Sequence, residues 1–502
     1  MTTMIVSQVS VVVVAVTFFS AQCTPVPHAS ACDVCYCGKK HEVDCSRLNL
    51  TEIPMLPKDT QYLIFNGNNL RGLSLSVLLN VSSNIKQMFF GNCKIQTIAN
   101  ENIFKNFPKL TTFAIKSNTF NESSFKNLLK SVQLSKIISL DISGNNMNKI
   151  SQSLNFSMLD RLKIILMNDC NIISLASIFR TNKKRSFKQM EFKRNLIDEI
   201  PVYVFQKYGM YYNKLRLLKL SSNPITKIVP NTFAGLAYLR RLMLSNINAK
   251  GSDFKGINCS TLEFLDISNS TSFSFRPPMD YKDVFKLTPN IVTLNISRTD
   301  FSNWTNSDLY HLLSPMKKLE ALALSKTSLT FIPNTALQSL RKLHTLDISR
   351  NSIIDWDPDC FRNMSSTFTK LYLDRNLITI INENSFPSEF LQDLEKLHLY
   401  ENKFHCNCSI HWFRHWMKDN YGKLDALDYE KHFIYQCSAP PDLNNTLLVD
   451  YDPTYEHCNG PSTAEIISIT LSSFLFILII TLLVLDKLYK YRKSKDYEEL
   501  QF

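Results

Sequence analysis

The segment Leu343-His344-Thr345-Leu346-Asp347-Ile348-Ser349-Arg350-Asn351-Ser352-Ile353 places apolar side chains at offsets 0, 3, 5 and 10, with Asn at offset 8. The same register recurs along the chain. Its offset-8 positions are Asn68, Cys93, Asn118, Asn145, Cys170, Asn195, Asn223, Ile247, Ser270, Thr299, Thr327, Asn351, Asn376 and Asn402, spaced 23 to 29 residues apart. An apolar trio stands ahead of each, as Leu215, Leu218 and Leu220 stand ahead of Asn223. A unit of this length cannot bury its own apolar face. Its neighbours must stack on it, which restricts the chain to a one-dimensional solenoid.

This is the leucine-rich repeat pattern, in about fourteen copies. Each x-L-x-L-x core predicts a short strand whose Leu side chains point inward while their neighbours point outward. After the strand the chain turns, and a buried Asn amide there satisfies main-chain groups. The expected fold is an α/β solenoid, a leucine-rich repeat horseshoe with strands on the concave wall and variable connections on the convex side. Length alone would allow three or four domains for 502 residues. The repeats instead absorb residues 59–404 into one body.

The flanks place the chain in an oxidising compartment. Val9 to Phe19 is a short apolar core followed by Ser20-Ala21-Gln22, the form of a secretory signal, although Met1 to Ser10 contains no Lys or Arg. An uncleaved anchor is the alternative, but the run is short for a span. Near the other end, Ile466 to Leu485 is uncharged and apolar enough to cross a bilayer, and Lys487, Lys490, Arg492, Lys493 and Lys495 follow it. Type I single-pass topology at the plasma membrane is the expectation.

Two cysteine clusters bracket the repeats. The first is Cys32, Cys35, Cys37 and Cys45; the second is Cys406 and Cys408 with Trp412 and Trp416, then Cys437 and Cys458. Zinc would be a candidate in the cytosol, and His411 and His415 at helical spacing invite a metal too. Behind a secretion signal, disulfides are the reading, with no metal or cofactor. The clusters resemble the caps of extracellular leucine-rich repeat proteins. That resemblance implies the pairs Cys32–Cys37, Cys35–Cys45, Cys406–Cys437 and Cys408–Cys458, with the tryptophans packed on the last coil. A cap covers the open apolar end of a stack. The resulting division is a signal peptide at 1–22, an N-terminal cap at 23–58, repeats at 59–404, a C-terminal cap at 405–460, juxtamembrane and transmembrane segments at 461–485, and a tail at 486–502. Of the other cysteines, Cys93 and Cys170 occupy Asn positions and read as buried thiols; Cys23, Cys259 and Cys360 are left over.

From residue 30 to 485 the architecture resembles the extracellular part of Toll-like receptors and related single-pass leucine-rich repeat receptors. The resemblance implies recognition of a protein, glycan or lipid ligand in innate immunity, with homo- or hetero-dimerisation. Toll-like receptors also carry a large cytoplasmic signalling domain. Residues 486–502 cannot form one, so signalling is expected through a partner chain. The alternatives are an adhesion or matrix-binding protein and a decoy receptor. Tyr497-Glu498-Glu499-Leu500 resembles a sorting motif through Tyr497 and Leu500. No catalytic signature stands in a matching context, so the chain reads as a non-enzyme, and nucleic acid is not an expected partner.

Glycan acceptors of the Asn-x-Ser/Thr type fall at Asn49, Asn80, Asn121, Asn155, Asn258, Asn269, Asn295, Asn303, Asn363 and Asn444, a density that implies a glycoprotein. Asn407 also fits but lies between two cap cysteines. On the concave wall the candidate ligand residues are Lys193, Lys219, Arg241, Met243, Arg350, Tyr372, Arg375 and Tyr400. Aromatics beside Arg are typical interface anchors. The formal net charge of +12 also suits an anionic partner such as a sulfated glycan. One irregularity stands out: Ile247, Ser270, Thr299 and Thr327 replace Asn at four successive marks. This predicts a looser or bent stretch. Phe254, Phe264, Phe273, Phe275, Phe285 and Phe301 then either fill a wider core or line an apolar pocket for an acyl chain.

Overall fold

The computed structural model describes residues 30–98, 102–119, 121–133, 135–148, 161–180, 184–270, 283–362, 364, 367–424, 435–453 and 463–498. The signal peptide, Cys23, Asn155, Phe273, Phe275, Asn363, Cys458 and Leu500 lie outside them. The chain divides into two compact units, Met1–Asn145 and Asn146–Phe502.

The first unit opens on its cap. Strand β1 (Tyr36–Gly38) pairs antiparallel with β2 (Glu42–Asp44). Disulfides Cys32–Cys37 and Cys35–Cys45 tie this hairpin to the helical turn Ala31–Val34. From β2 onward every pairing is parallel, through β3 (Tyr62–Ile64), β4 (Gln87–Phe89), β5 (Thr112–Ala114) and β6 (Ser139–Asp141). The middle residues Leu63, Met88, Phe113 and Leu140 pair in register and are fully buried. Phe65 and Phe90 join Phe113 in an aromatic spine with centroid spacings of 6.0 and 6.2 Å.

The second unit repeats this plan ten times. Its strands are β7 (Ile164–Leu166), β8 (Gln189–Glu191), β9 (Leu217–Lys219), β10 (Arg241–Met243), β11 (Phe264–Asp266), β12 (Thr293–Asn295), β13 (Ala321–Ala323), β14 (Thr345–Asp347), β15 (Lys370–Tyr372) and β16 (Lys396–His398). Their central residues, from Ile165 to Leu397, form one buried column in register. Burial of each contributes roughly 1.5–3 kcal/mol.

Each coil turns at the mark as the pattern requires. Asn351 shows the full arrangement: its Oδ1 accepts the Thr327 and Leu329 N–H groups, and its Nδ2 donates to the Leu324 and Ile348 carbonyls. Asn118, Asn195 and Asn402 bridge neighbouring coils in the same way. In all fourteen coils the residue just before the mark has positive φ, from Gly67 through Arg298, Lys326 and Arg350 to Glu401. For a residue with a Cβ that conformation costs about 1–2 kcal/mol. It is offset by a main-chain bond to the next coil, as from Lys326 N–H to the Ser349 carbonyl at 2.9 Å.

The block without Asn is not splayed on its strand side. Strands β10 to β14 stay paired in unbroken register. Main-chain bonds replace the missing amide: where an Asn coil gives its second N–H after the mark to the next Asn, Phe301 N–H donates to the Thr327 carbonyl at 2.8 Å. Ser270 Oγ accepts the Ile247 N–H only at 3.4 Å, and buried Thr299 Oγ1 has no partner. Phe254, Phe285 and Phe301 are fully buried in the core. Phe264 is not among them, because it starts β11 on the outward face. The expected gap-lining role fails for that residue, since position one of a three-residue strand points away from the core.

The C-terminal cap begins at β17 (Phe404–His405), which pairs with β18 (Cys437–Ala439) beside the Cys406–Cys437 disulfide. Cys408 is disulfide-bonded as well. Helix His411–Asp419 buries Phe413 and Met417, and the half-buried Trp412 and Trp416 line one cavity with Phe386 and Leu391 of the coil that begins at β15. His411 and His415 meet edge to face at 4.4 Å. Among the described residues no group of His, Cys, Asp or Glu is placed to hold a metal. Cys93, Cys259 and Cys360 are buried thiols outside the disulfides, and buried Cys170 donates from Sγ to the Asn168 carbonyl at 3.2 Å. The final helix, Thr463–Glu498, contains a stretch from Ile466 to Lys490 long and apolar enough to cross a membrane. Tyr497 falls near its end.

Candidate functional site

The first and third residues of each strand face outward, so the strand face of the second unit is a two-row surface set by sequence parity. Two groups of candidate residues occupy it.

The first group spans β8 to β10. Glu191, 6% exposed, accepts from Gln189 Nε2 at 2.6 Å and pairs with Lys219 Nζ at 2.7 Å, with Lys193 Nζ at 4.0 Å. Burial opposes ionisation of Glu191. The Lys219 ammonium, Gln189 and Asn168 together outweigh it and hold the carboxyl below its ordinary value. Lys193 and Lys219 are therefore committed to an internal cluster rather than presented to a ligand. Arg241 lies over the Phe264 ring at 4.7 Å, a cation–π contact between register partners. Met243 is half-buried beside them.

This cluster carries a pH dependence. A carboxyl with a depressed folded pKa contributes stability that is fully present above its unfolded pKa and lost as pH falls through the folded value. Glu191→Gln is expected to remove that acid limb, so denaturation midpoints of variant and wild type should converge below about pH 4. A difference unchanged between pH 7 and pH 3 would contradict the ionised cluster.

The second group spans β15, β16 and the turns that follow them. Tyr372 and His398 are register partners with ring centroids 4.3 Å apart. Arg375 lies 5.8 Å from the Tyr400 ring and forms an ion pair with Glu401. The Arg375 guanidinium holds the Glu401 carboxyl below its ordinary range, and Glu401 pushes the Tyr400 phenol up. Lys370 and Lys396 flank the ring pair in the next row, with Lys396 Nζ donating to the Gly422 carbonyl at 2.9 Å. The result is an aromatic patch with a basic margin, all of it at least partly exposed.

Structure thus divides the eight candidates. Between the two groups lie β11 to β14, whose outward residues include Asn295, Ala321 and Ala323. From β10 to β15 is five strand steps, about 24 Å. Arg350 joins neither group, since it projects from the turn after β14 and is exposed. Among the glycan acceptors, Asn49, Asn80, Asn121, Asn303 and Asn444 are exposed, whereas Asn258, Asn269 and Asn295 are half-buried. Asn407 is exposed too, its side chain accepting the Ser409 N–H at 3.0 Å. One feature had no signature in the repeat pattern. A cavity of about 840 Å³ opens on the connection side, lined by Asp357, Phe361, Glu383, Phe386, Glu389 and Phe390.

Family models for leucine-rich repeats match residues 317–378 and 214–236. The fold is a leucine-rich repeat solenoid. Within that class the chain resembles the repeat arrays of Toll-like receptors and CD180. It is 26% identical to Toll-like receptor 7 of Mus musculus over 72% of this chain and 37% of that one. To the CD180 antigen of Mus musculus it is 25% identical, over 83% of this chain and 49% of the other. A solved complex of TLR13 with ssRNA13 superposes with a TM-score of 0.50 at 19% identity, covering 78% of this chain and 60% of that one. The chain therefore spans about a third to a half of the length of these curated receptors.

Proposed function

We propose that the chain is a single-pass type I receptor at the plasma membrane that binds a protein ligand through the patch around Tyr372, His398, Arg375 and Tyr400. The observation that carries this is the ring pair at 4.3 Å beside a cation–aromatic contact, on a surface where the alternating strand residues leave it uncovered. Rigid aromatics and Arg on a preformed sheet make interface anchors at low entropic cost. Signalling through a partner chain is part of the same reading, as is a place in innate immune recognition, which the likeness to Toll-like receptors supports.

The test uses the full-length chain on cells, with a photo-crosslinking residue at position 370. The protein it captures should be lost by at least about tenfold in Tyr372→Ala/Tyr400→Ala, the effect of removing a hot spot, while surface level stays unchanged. Equal capture by the double variant would overturn this site.

A further inference from the structure

The positive-φ position before each mark forms a column of side chains on the edge where the chain leaves its strands. Along most of that column the side chains answer one another. Arg194 pairs with Asp169 at 2.7 Å, Asn269 donates to Asn246 at 3.2 Å, Asn246 donates to Ser222, and Arg375 pairs with Glu401. Three consecutive coils break the rule. Arg298, Lys326 and Arg350, with φ of 59°, 57° and 56°, are all exposed, and among the described residues none has an acidic partner. Their backbones are locked to the next coil through the Ser325, Ser349 and Asp374 carbonyls, so the cations are held one coil apart, about 5 Å per step in the sheet direction. That spacing is inside the screening length at physiological salt, about 8 Å, so the like charges repel. A partner with regularly spaced negative charge would relieve the repulsion.

We propose that this edge binds a linear sulfated glycan, at a site separate from the aromatic patch. The residues flanking the column favour that class over single-stranded nucleic acid. Each cation is preceded by a serine, and Ser297 and Ser325 are partly exposed beside theirs, whereas the mark residues Thr299, Thr327 and Asn351 are buried. Hydroxyls suit sulfate and sugar oxygens. The column has no aromatic on which a base would stack, and stacking is the usual anchor of single strands. Asp300 lies nearby, but its carboxylate accepts the Ser302 N–H at 3.0 Å. Asp347, three residues before Arg350, accepts the Ser349 N–H at 3.0 Å and the Ser349 hydroxyl at 2.6 Å.

The experiment measures binding of heparin, fully desulfated heparin and a single-stranded oligonucleotide to the full-length protein in detergent. The variant is Arg298→Gly/Lys326→Gly/Arg350→Gly. Glycine tolerates positive φ, whereas asparagine at 326 or 350 would create a glycan acceptor ahead of Ser328 or Ser352. Heparin should bind in a salt-dependent way, desulfated heparin should not, and the triple variant should weaken heparin binding by on the order of tenfold. A control, Lys317→Ser/Lys318→Ser/Lys342→Ser, removes three exposed cations at the edge where the chain enters the strands. It should keep binding within about twofold. Equal losses in both variants would reduce the effect to net charge and overturn the site, as would tighter binding of the oligonucleotide than of heparin. Loss of ligand capture at the aromatic patch alone would leave this proposal standing.

Discussion

Asn351→Ala is expected to destabilise the protein by about 3–5 kcal/mol, because two buried N–H donors lose their acceptor and each such orphan costs roughly 1–3 kcal/mol. The donors are Thr327 N–H and Leu329 N–H, at 2.8 and 3.2 Å from the amide oxygen. Leu324 and Ile348 lose a donor at the same time. No neighbouring amide can take over, since the preceding mark is Thr327, whose hydroxyl already donates to the Leu324 carbonyl at 2.7 Å. The companion variant should behave oppositely. Thr299 Oγ1 is buried without a partner, so Thr299→Val removes an unsatisfied group at nearly constant shape and should be neutral or stabilising. Denaturant unfolding of purified full-length protein compares the two. If Asn351→Ala lay within 1 kcal/mol of wild type, or Thr299→Val cost as much as it, the amide-ladder account would be wrong.

The second large effect is at the C-terminal cap. Cys406–Cys437 closes a loop with a sequence separation of 31, and in the chain-entropy picture such a crosslink stabilises by about 3–4 kcal/mol. Cys406→Ser should lose that and leave Cys437 as a buried thiol, 1% exposed. The cap then has less to hold β17 and β18 over the apolar end of the last coil, where Phe404, Phe413 and Tyr435 meet. The variant should be retained inside the cell, and at equal expression its surface level should fall several-fold. Reaching the surface at the wild-type level would show that the cap is dispensable for folding. Cys93→Ala offers a contrast: that thiol donates to the Phe65 carbonyl at 3.0 Å but crosslinks nothing.

The repeat register, the strand positions and the direction of each side chain were legible in the sequence. A period-2 alternation inside a fixed repeat leaves one way to bury Leu346, Leu371 and Leu397 in the same column. The cap disulfides were legible only through resemblance, since spacing alone allows several pairings. Misreadings came where a side chain's partner sits a whole coil away. Lys193 and Lys219 looked like free cations, but Glu191 and Lys219 face each other only because β8 and β9 pair in register. Loosening was expected from the missing Asn residues, yet Phe301 N–H found a main-chain carbonyl instead.

Local pattern therefore determined the solenoid, its inward and outward faces and the C-terminal helix long and apolar enough to cross a membrane, because each depends on residues close in sequence or repeated at a fixed interval. Tertiary structure alone decided which exposed charges are spent and which remain available. Glu401 neutralises Arg375 from 26 residues away, while Arg298, Lys326 and Arg350 stand in the same column with no such neighbour. That distinction depends on lateral pairing between coils, which a one-dimensional pattern does not encode for individual side chains.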